Sequence, residues 1–214
     1  MAAEGEAIAL GERVLALTGA RPAITSAVVD GTLEAATAAI RVMGRSGPAT
    51  ELASEIRGED AIVWGETIDD GAASAKWWQE REDRLADAGA ETVAIEIGCP
   101  PSRFVDVLRT LRNAFPNPAG VALHASAGVG AIALAFPAES TSLATWARLW
   151  SEHGLGDHAR FVIASAPREW RAERDVWFIE PGPRKMMQAL KSSFDPNDTL
   201  NRGRLWTAPA TTPA

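Results

Sequence analysis

The chain has 214 residues, 46% of them hydrophobic and 23% charged, so one domain with a substantial core is within reach. A net charge of −7 argues against general binding to nucleic acid, whose phosphates call for Lys and Arg. One cysteine, Cys99, allows no intrachain disulfide, and no apolar run approaches the roughly 20 residues that span a bilayer. The first residues lack a basic segment followed by an apolar one, so no signal peptide is expected, and a reducing, cytoplasmic setting is the natural expectation.

Residues 4–18 carry Leu10, Val14 and Leu17 at helical spacing, and Gly19 and Pro22 close that segment. AITSAVVDG follows as a strand that Asp30-Gly31 stops, and residues 37–45 read as a second strand. Residues 46–58 read as a helix with Ser46 at its N-cap and Gly58 at its end. A short strand is expected at 61–67, and a long helix at 69–89 capped by Asp69 or Asp70.

The pattern then recurs. Val93, Ile95 and Ile97 alternate in a strand at 92–98, and 100–115 forms an amphipathic helix with Phe104, Val107, Leu108 and Leu111 on one face. Residues 120–126 and 130–136 read as a hairpin through Ala-Gly-Val-Gly. A helix is expected at 139–154, a strand at 159–167 and a last helix at 183–194, after which Asp195-Pro196 halts the chain. Helices between strands that also make hairpins predict an α+β fold. Its mainly antiparallel sheet carries helices on one face, in two ferredoxin-like halves.

Strand alternation sends large apolar side chains to one face of that sheet. The other face receives small residues and a few polar ones, among them Arg41, Glu96, His124 and Arg160. Such a face suits water, or a flat aromatic cofactor or anionic substrate. The familiar site motifs are absent. There is no phosphate loop, no HExxH and no GxSxG, and the Gly-x-Gly at 128–130 joins two strands rather than a strand to a helix. His153 and His158 lack the cysteine pair of a zinc site. Cys99 reads as a small buried hydrophobe.

Several stretches in order, from AAIRVMGRSGPATELASEI through TVAIEIGCPPSRFVDVL and GVALHASAGVGAIAL to MQALKSSFDPNDTLNRGRL, resemble the C-terminal half of FAD-linked oxidases of the vanillyl-alcohol-oxidase type. The likeness is greatest to the FAD-binding subunit of bacterial glycolate oxidase. The closing pattern, a Lys, Phe-Asp-Pro and then Leu-Asn-x-Gly-Arg, is its most specific part.

The resemblance implies a single domain over 1–214 that is the substrate, or cap, part of an FAD-dependent oxidoreductase. Its N-terminal FAD-binding domain is expected to stand outside this chain, which is then inactive alone. A small 2-hydroxy acid such as glycolate is the implied substrate, with Arg41 and Arg160 for its carboxylate and His124 as catalytic base, since an imidazole titrates near neutrality. Asn201, Gly203 and Arg204 are the implied cofactor-binding residues. The implied partners are an FAD-binding domain or subunit and an iron–sulfur subunit.

Two departures stand out. Asn201-Arg202-Gly203 replaces the usual Asn-Pro-Gly, and His124 is not followed by the second histidine of metal-using relatives, so no metal role is carried over. The contrasting expectation is a non-enzymatic α+β module that binds a protein or small ligand on the open sheet face.

Overall fold

The computed structural model describes residues 2–21, 24–42, 45–59, 71–86, 89, 91–140, 155–168, 170, 177, 179 and 181–201. Seven strands form one antiparallel sheet: β1 (Ala2–Glu6), β2 (Ile24–Thr32), β3 (Ala35–Val42), β4 (Thr92–Gly98), β5 (Ala122–Ser126), β6 (Ala131–Pro137) and β7 (Arg160–Ser165). Their order is β1-β3-β2-β5-β6-β4-β7. The described helices are α1 (Ala7–Ala20), α2 (Ser46–Glu59), α3 (Gly71–Ala86), α4 (Phe104–Ala114), the short α5 (Leu155–His158) and α6 (Pro181–Phe194).

The fold is α+β, and the two halves are visible in the strand order. In the second, β4-α4-β5-β6-β7 gives the spatial order β7-β4-β6-β5, which is the ferredoxin-like arrangement. In the first, β1-α1-β2-β3 gives β1-β3-β2, the same split β-α-β core. The halves join where β2 pairs antiparallel with β5, so β5 stands at the centre of the seven strands. The short strand expected at 61–67 lies outside the described residues. So does the helix at 139–154, apart from its first two residues, which end a 3₁₀ turn.

One expectation fails at the N-terminus. The helical stripe does not begin at residue 4: β1 runs to Glu6, paired with β3 from Ala2↔Ala39 to Glu6↔Ala35, and α1 starts at Ala7. Ala, Gly and Glu have little strand preference of their own. A ready hydrogen-bonding edge on β3 outweighs that local bias. Likewise β2 does not stop at Asp30-Gly31 but continues to Thr32. The helix expected from residue 100 begins as a 3₁₀ turn, Pro101–Arg103, and becomes α-helical only at Phe104.

The core lies between one sheet face and helices α1 and α4. Val29, Val93, Ile95, Leu123, Ile132, Leu134 and Phe136 come from the strands, and Leu10, Val14, Leu17, Phe104, Leu108 and Leu111 from the helices. Gly11 lets the two helices close on each other, since a Cβ there would stand 3.0 Å from Leu108 and 3.3 Å from Phe104. Ion pairs from Arg109 to Glu12 and from Arg112 to Glu6 tie α4 across to α1 and β1.

Hairpin β5–β6 turns at Gly130, which sits in the left-handed region at φ 67°. A Cβ there would lie 1.8 Å from the Cys99 carbonyl oxygen. The turn and the end of β4 also exchange a backbone hydrogen bond, from Cys99 N–H to the Gly130 carbonyl at 2.8 Å. Cys99 is buried, and burial pushes its thiol up to about 11, so it is a protonated, packing side chain.

Candidate functional site

The second face of the sheet is defined by the strand register. Reading across the strands, Val162, Glu96, Ala133, His124, Asp30 and Thr37 stand in one row. Arg41 lies opposite Ser26 on β2, and Arg160 opposite Gly98 on β4, so both share this face with His124. The three do not form one cluster. With strands about 4.8 Å apart and about 3.3 Å of rise per residue, Arg41 and Arg160 each stand roughly 16 Å from His124, measured between backbones.

Arg41 belongs to β3, two strands from β5. Arg160 belongs to the edge strand β7, and its guanidinium Nη1 donates to the carbonyls of Gly156 and, at 2.8 Å, Ala159. These two carbonyls hold the guanidinium against α5 and the start of β7.

His124 has a partner that its own sequence neighbourhood does not show. Its Nδ1 lies 3.2 Å from Oδ1 of Asp30, the residue directly opposite on β2. Asp30 is buried, at 7% exposure, while the His124 side chain retains 17%. Among the described residues the other ring nitrogen, Nε2, has no hydrogen-bond partner.

The pair also sits at a boundary. Toward β2 and β3 the second face is covered: Val28 and Ala39 are buried yet belong to no part of the core between sheet and helices. Toward β6, β4 and β7 Ala131, Glu96 and Arg160 are exposed, while Ala94 on β4 is buried. Small side chains, Ala122, Ala131, Ala133 and Ala135, form a flat floor beside the imidazole.

The sequence near the C-terminus builds a second polar centre. Asp195 ends α6 and is itself buried. Its carboxylate accepts hydrogen bonds from the backbone N–H of Thr199 and of Leu200, each at 2.8 Å, from the Thr199 hydroxyl at 2.9 Å and from the Lys191 ammonium. Lys191 also donates to the Leu200 carbonyl at 2.7 Å and pairs with Asp198 at 3.0 Å. The ammonium and the two backbone amides hold the Asp195 carboxyl far below the usual carboxylate range, and Asp195 in turn raises the Lys191 ammonium.

The staple forces a sharp turn, in which Asp198 and Asn201 adopt left-handed backbone at φ 49° and 51°. Helix α6 itself has no buried residue. Met186, Leu190 and Phe194 form an exposed stripe at four-residue spacing, with Met187 beside it and Leu200 beyond. Gly203 and Arg204 lie outside the described residues.

Two ferredoxin-like halves share one antiparallel sheet with a polar pair at their seam, and the last described helix carries an exposed apolar stripe before a stapled turn. The model of the FAD linked oxidases, C-terminal domain, matches residues 31–205, and the chain belongs to that family. No curated protein matches the chain. The cofactor of the family is FAD, held mainly by a separate domain.

Among the described residues, the second face offers a flat alanine floor with an imidazole at its edge. Among the described residues there is no group of three metal-ligating side chains, and no helix is long and apolar enough to cross a membrane.

Proposed function

We propose that this chain is the substrate-side, or cap, domain of an FAD-dependent oxidoreductase of the vanillyl-alcohol-oxidase type. On this reading it acts on a small 2-hydroxy acid such as glycolate, only in company with a flavin-carrying domain. The observation that carries the reading is α6. An amphipathic helix that exposes Met186, Leu190 and Phe194, at 69%, 53% and 84%, and ends in a turn rigidified around a buried carboxylate, is half of an interface.

The other half, in a family whose FAD sits mainly elsewhere, is the flavin-carrying domain. Asn201, Gly203 and Arg204 come in sequence seven to ten residues after the end of that helix and are the residues proposed to meet the cofactor. An iron–sulfur subunit as the onward electron acceptor, and glycolate oxidase as the nearest type, belong to the same proposal.

FAD, when bound, supplies the hydride acceptor. The chain's own contribution is positioning and proton handling. His124 accepts the proton of the substrate hydroxyl as the C–H electron pair leaves, giving the 2-oxo acid. A guanidinium holds the carboxylate by a two-pronged contact. Arg41 and Arg160 lie on different sides of His124, so a two-carbon acid in reach of the imidazole uses one of them and not both.

The test is to purify this chain alone and with a flavin-carrying domain, whether fused or separate, and to measure FAD content and glycolate-dependent reduction of an electron-accepting dye. The chain alone is expected to be colourless and inactive, and the assembly yellow and active. Replacing Leu190 and Phe194 with Asp should abolish assembly while the chain still folds. Stoichiometric FAD in the chain alone, or an assembly that oxidises no 2-hydroxy acid, overturns the proposal.

A further inference from the structure

We infer that Asp30 is a positioning residue for His124, fixing which of its two ring nitrogens takes the substrate proton. The inference rests on the reading of His124 as base.

A carboxylate only accepts hydrogen bonds. With Oδ1 of Asp30 at 3.2 Å from Nδ1, the neutral imidazole carries its proton on Nδ1 and donates it to Asp30. The lone pair is then on Nε2, which has no partner among the described residues. A free imidazole would distribute between both tautomers and swing about its Cα–Cβ bond. The buried carboxylate removes both freedoms, in the manner of a carboxylate behind a catalytic histidine.

The backbone makes the arrangement firm. Asp30 and His124 are direct partners in the register of β2 and β5, and β5 is paired on both sides. The residue after Asp30, Gly31, has φ 150°, and a Cβ there would come within 2.7 Å of the Ala35 carbonyl oxygen and 2.8 Å of the Ala36 Cα. β2 is thus pressed against β3 next to the carboxylate. A salt link made merely to stabilise a surface would not need an acid buried in the centre of a sheet, where desolvating it is costly.

Two measurements test this. The first is the tautomer of His124 in the unaltered chain, read from the ring nitrogens in long-range proton–nitrogen NMR spectra. The Nδ1–H form is expected, and an Nε2–H form overturns the inference whatever any variant does. The second uses the assembled flavoenzyme with glycolate as probe and compares Asp30→Asn with His124→Gln. The Asn amide can turn its NH₂ toward Nδ1, which drives the ring proton to Nε2.

Asp30→Asn should therefore lower kcat by about 100-fold or more and leave KM nearly unchanged, with the tautomer reversed in the NMR spectrum. If His124→Gln is inactive but Asp30→Asn keeps full kcat, the role of Asp30 fails and His124 as base stands. If both variants keep full kcat, the reading of His124 as base fails, and the role of Asp30 with it.

Discussion

Asp30 and Asp195 are equally withdrawn from water, at 7% exposure each, but they are surrounded differently. Asp195 collects two backbone amides, a hydroxyl and an ammonium from residues within five positions of itself. Asp30 faces an imidazole 94 residues away, across the seam between the two halves of the sheet. A carboxylate filled by main-chain donors cannot change partners without unfolding the turn around it. One that meets a titratable ring leaves that ring a second nitrogen for chemistry. The contrast separates a buried charge that builds structure from one that we infer orients an imidazole, although burial alone does not tell them apart.

The strongest way to break the comparison is to remove the scaffold that keeps His124 in place. Gly130→Ala puts a Cβ 1.8 Å from the Cys99 carbonyl oxygen at a backbone φ of 67°. The β5–β6 hairpin has to shift, and a loss of about 3 kcal/mol or more is expected in urea denaturation. A near-normal midpoint would mean that the turn is less constrained than its geometry states.

Next in size is Asp195→Ala. It strands the Thr199 and Leu200 amides and leaves the Lys191 ammonium with only Asp198 and the Leu200 carbonyl, and the turn should open without global unfolding. Hydrogen exchange at those two amides should rise roughly tenfold or more, with α1 and β4 amides unaffected.

The pH dependence follows the same logic. The Asp195 carboxyl is depressed from its ordinary 3.8, so its contribution is complete above that value and is lost as pH falls below it. The Lys191 ammonium is raised from 10.5, so its contribution is complete below that value and is lost as pH rises through the higher folded value. Amide exchange followed against pH, corrected for its intrinsic pH dependence, should show the turn closed between these limits and opening first on the acid side of 3.8.

The smallest effect is expected on α6. Leu190→Ser and Phe194→Ser remove apolar side chains that bury nothing in this chain, so its stability should change by no more than about 0.5 kcal/mol. Its tendency to self-associate should fall, as light scattering would show. A large destabilisation would mean that the stripe packs inside the domain after all.

Much of this protein is readable from local pattern. Period-two alternation identifies the apolar set Val93, Ile95, Ile97, Leu123, Ile132 and Leu134, because a strand can bury only one of its faces against helices. Heptad-like spacing marks α4, and Asp-Pro after Phe194 marks the end of α6, because proline disfavours helix in the residue before it. The same alternation puts Arg41, His124 and Arg160 on the second face.

Their separation was not legible, since it depends on strand order, and sequence spacing carries no information about which strands become neighbours. β1 was hidden for a related reason: Ala-Ala-Glu-Gly-Glu is a strand only because β3 presents an unpaired edge to it. The placement of Asp30 is the clearest case. Followed by Gly31, it carries the local signature of a turn. Only the antiparallel register of β2 on β5 sets it opposite His124, and that register is fixed by burying Val29, Leu123 and Ala125 on the opposite face, since a slip of one residue would turn one strand's apolar side chains away from that core.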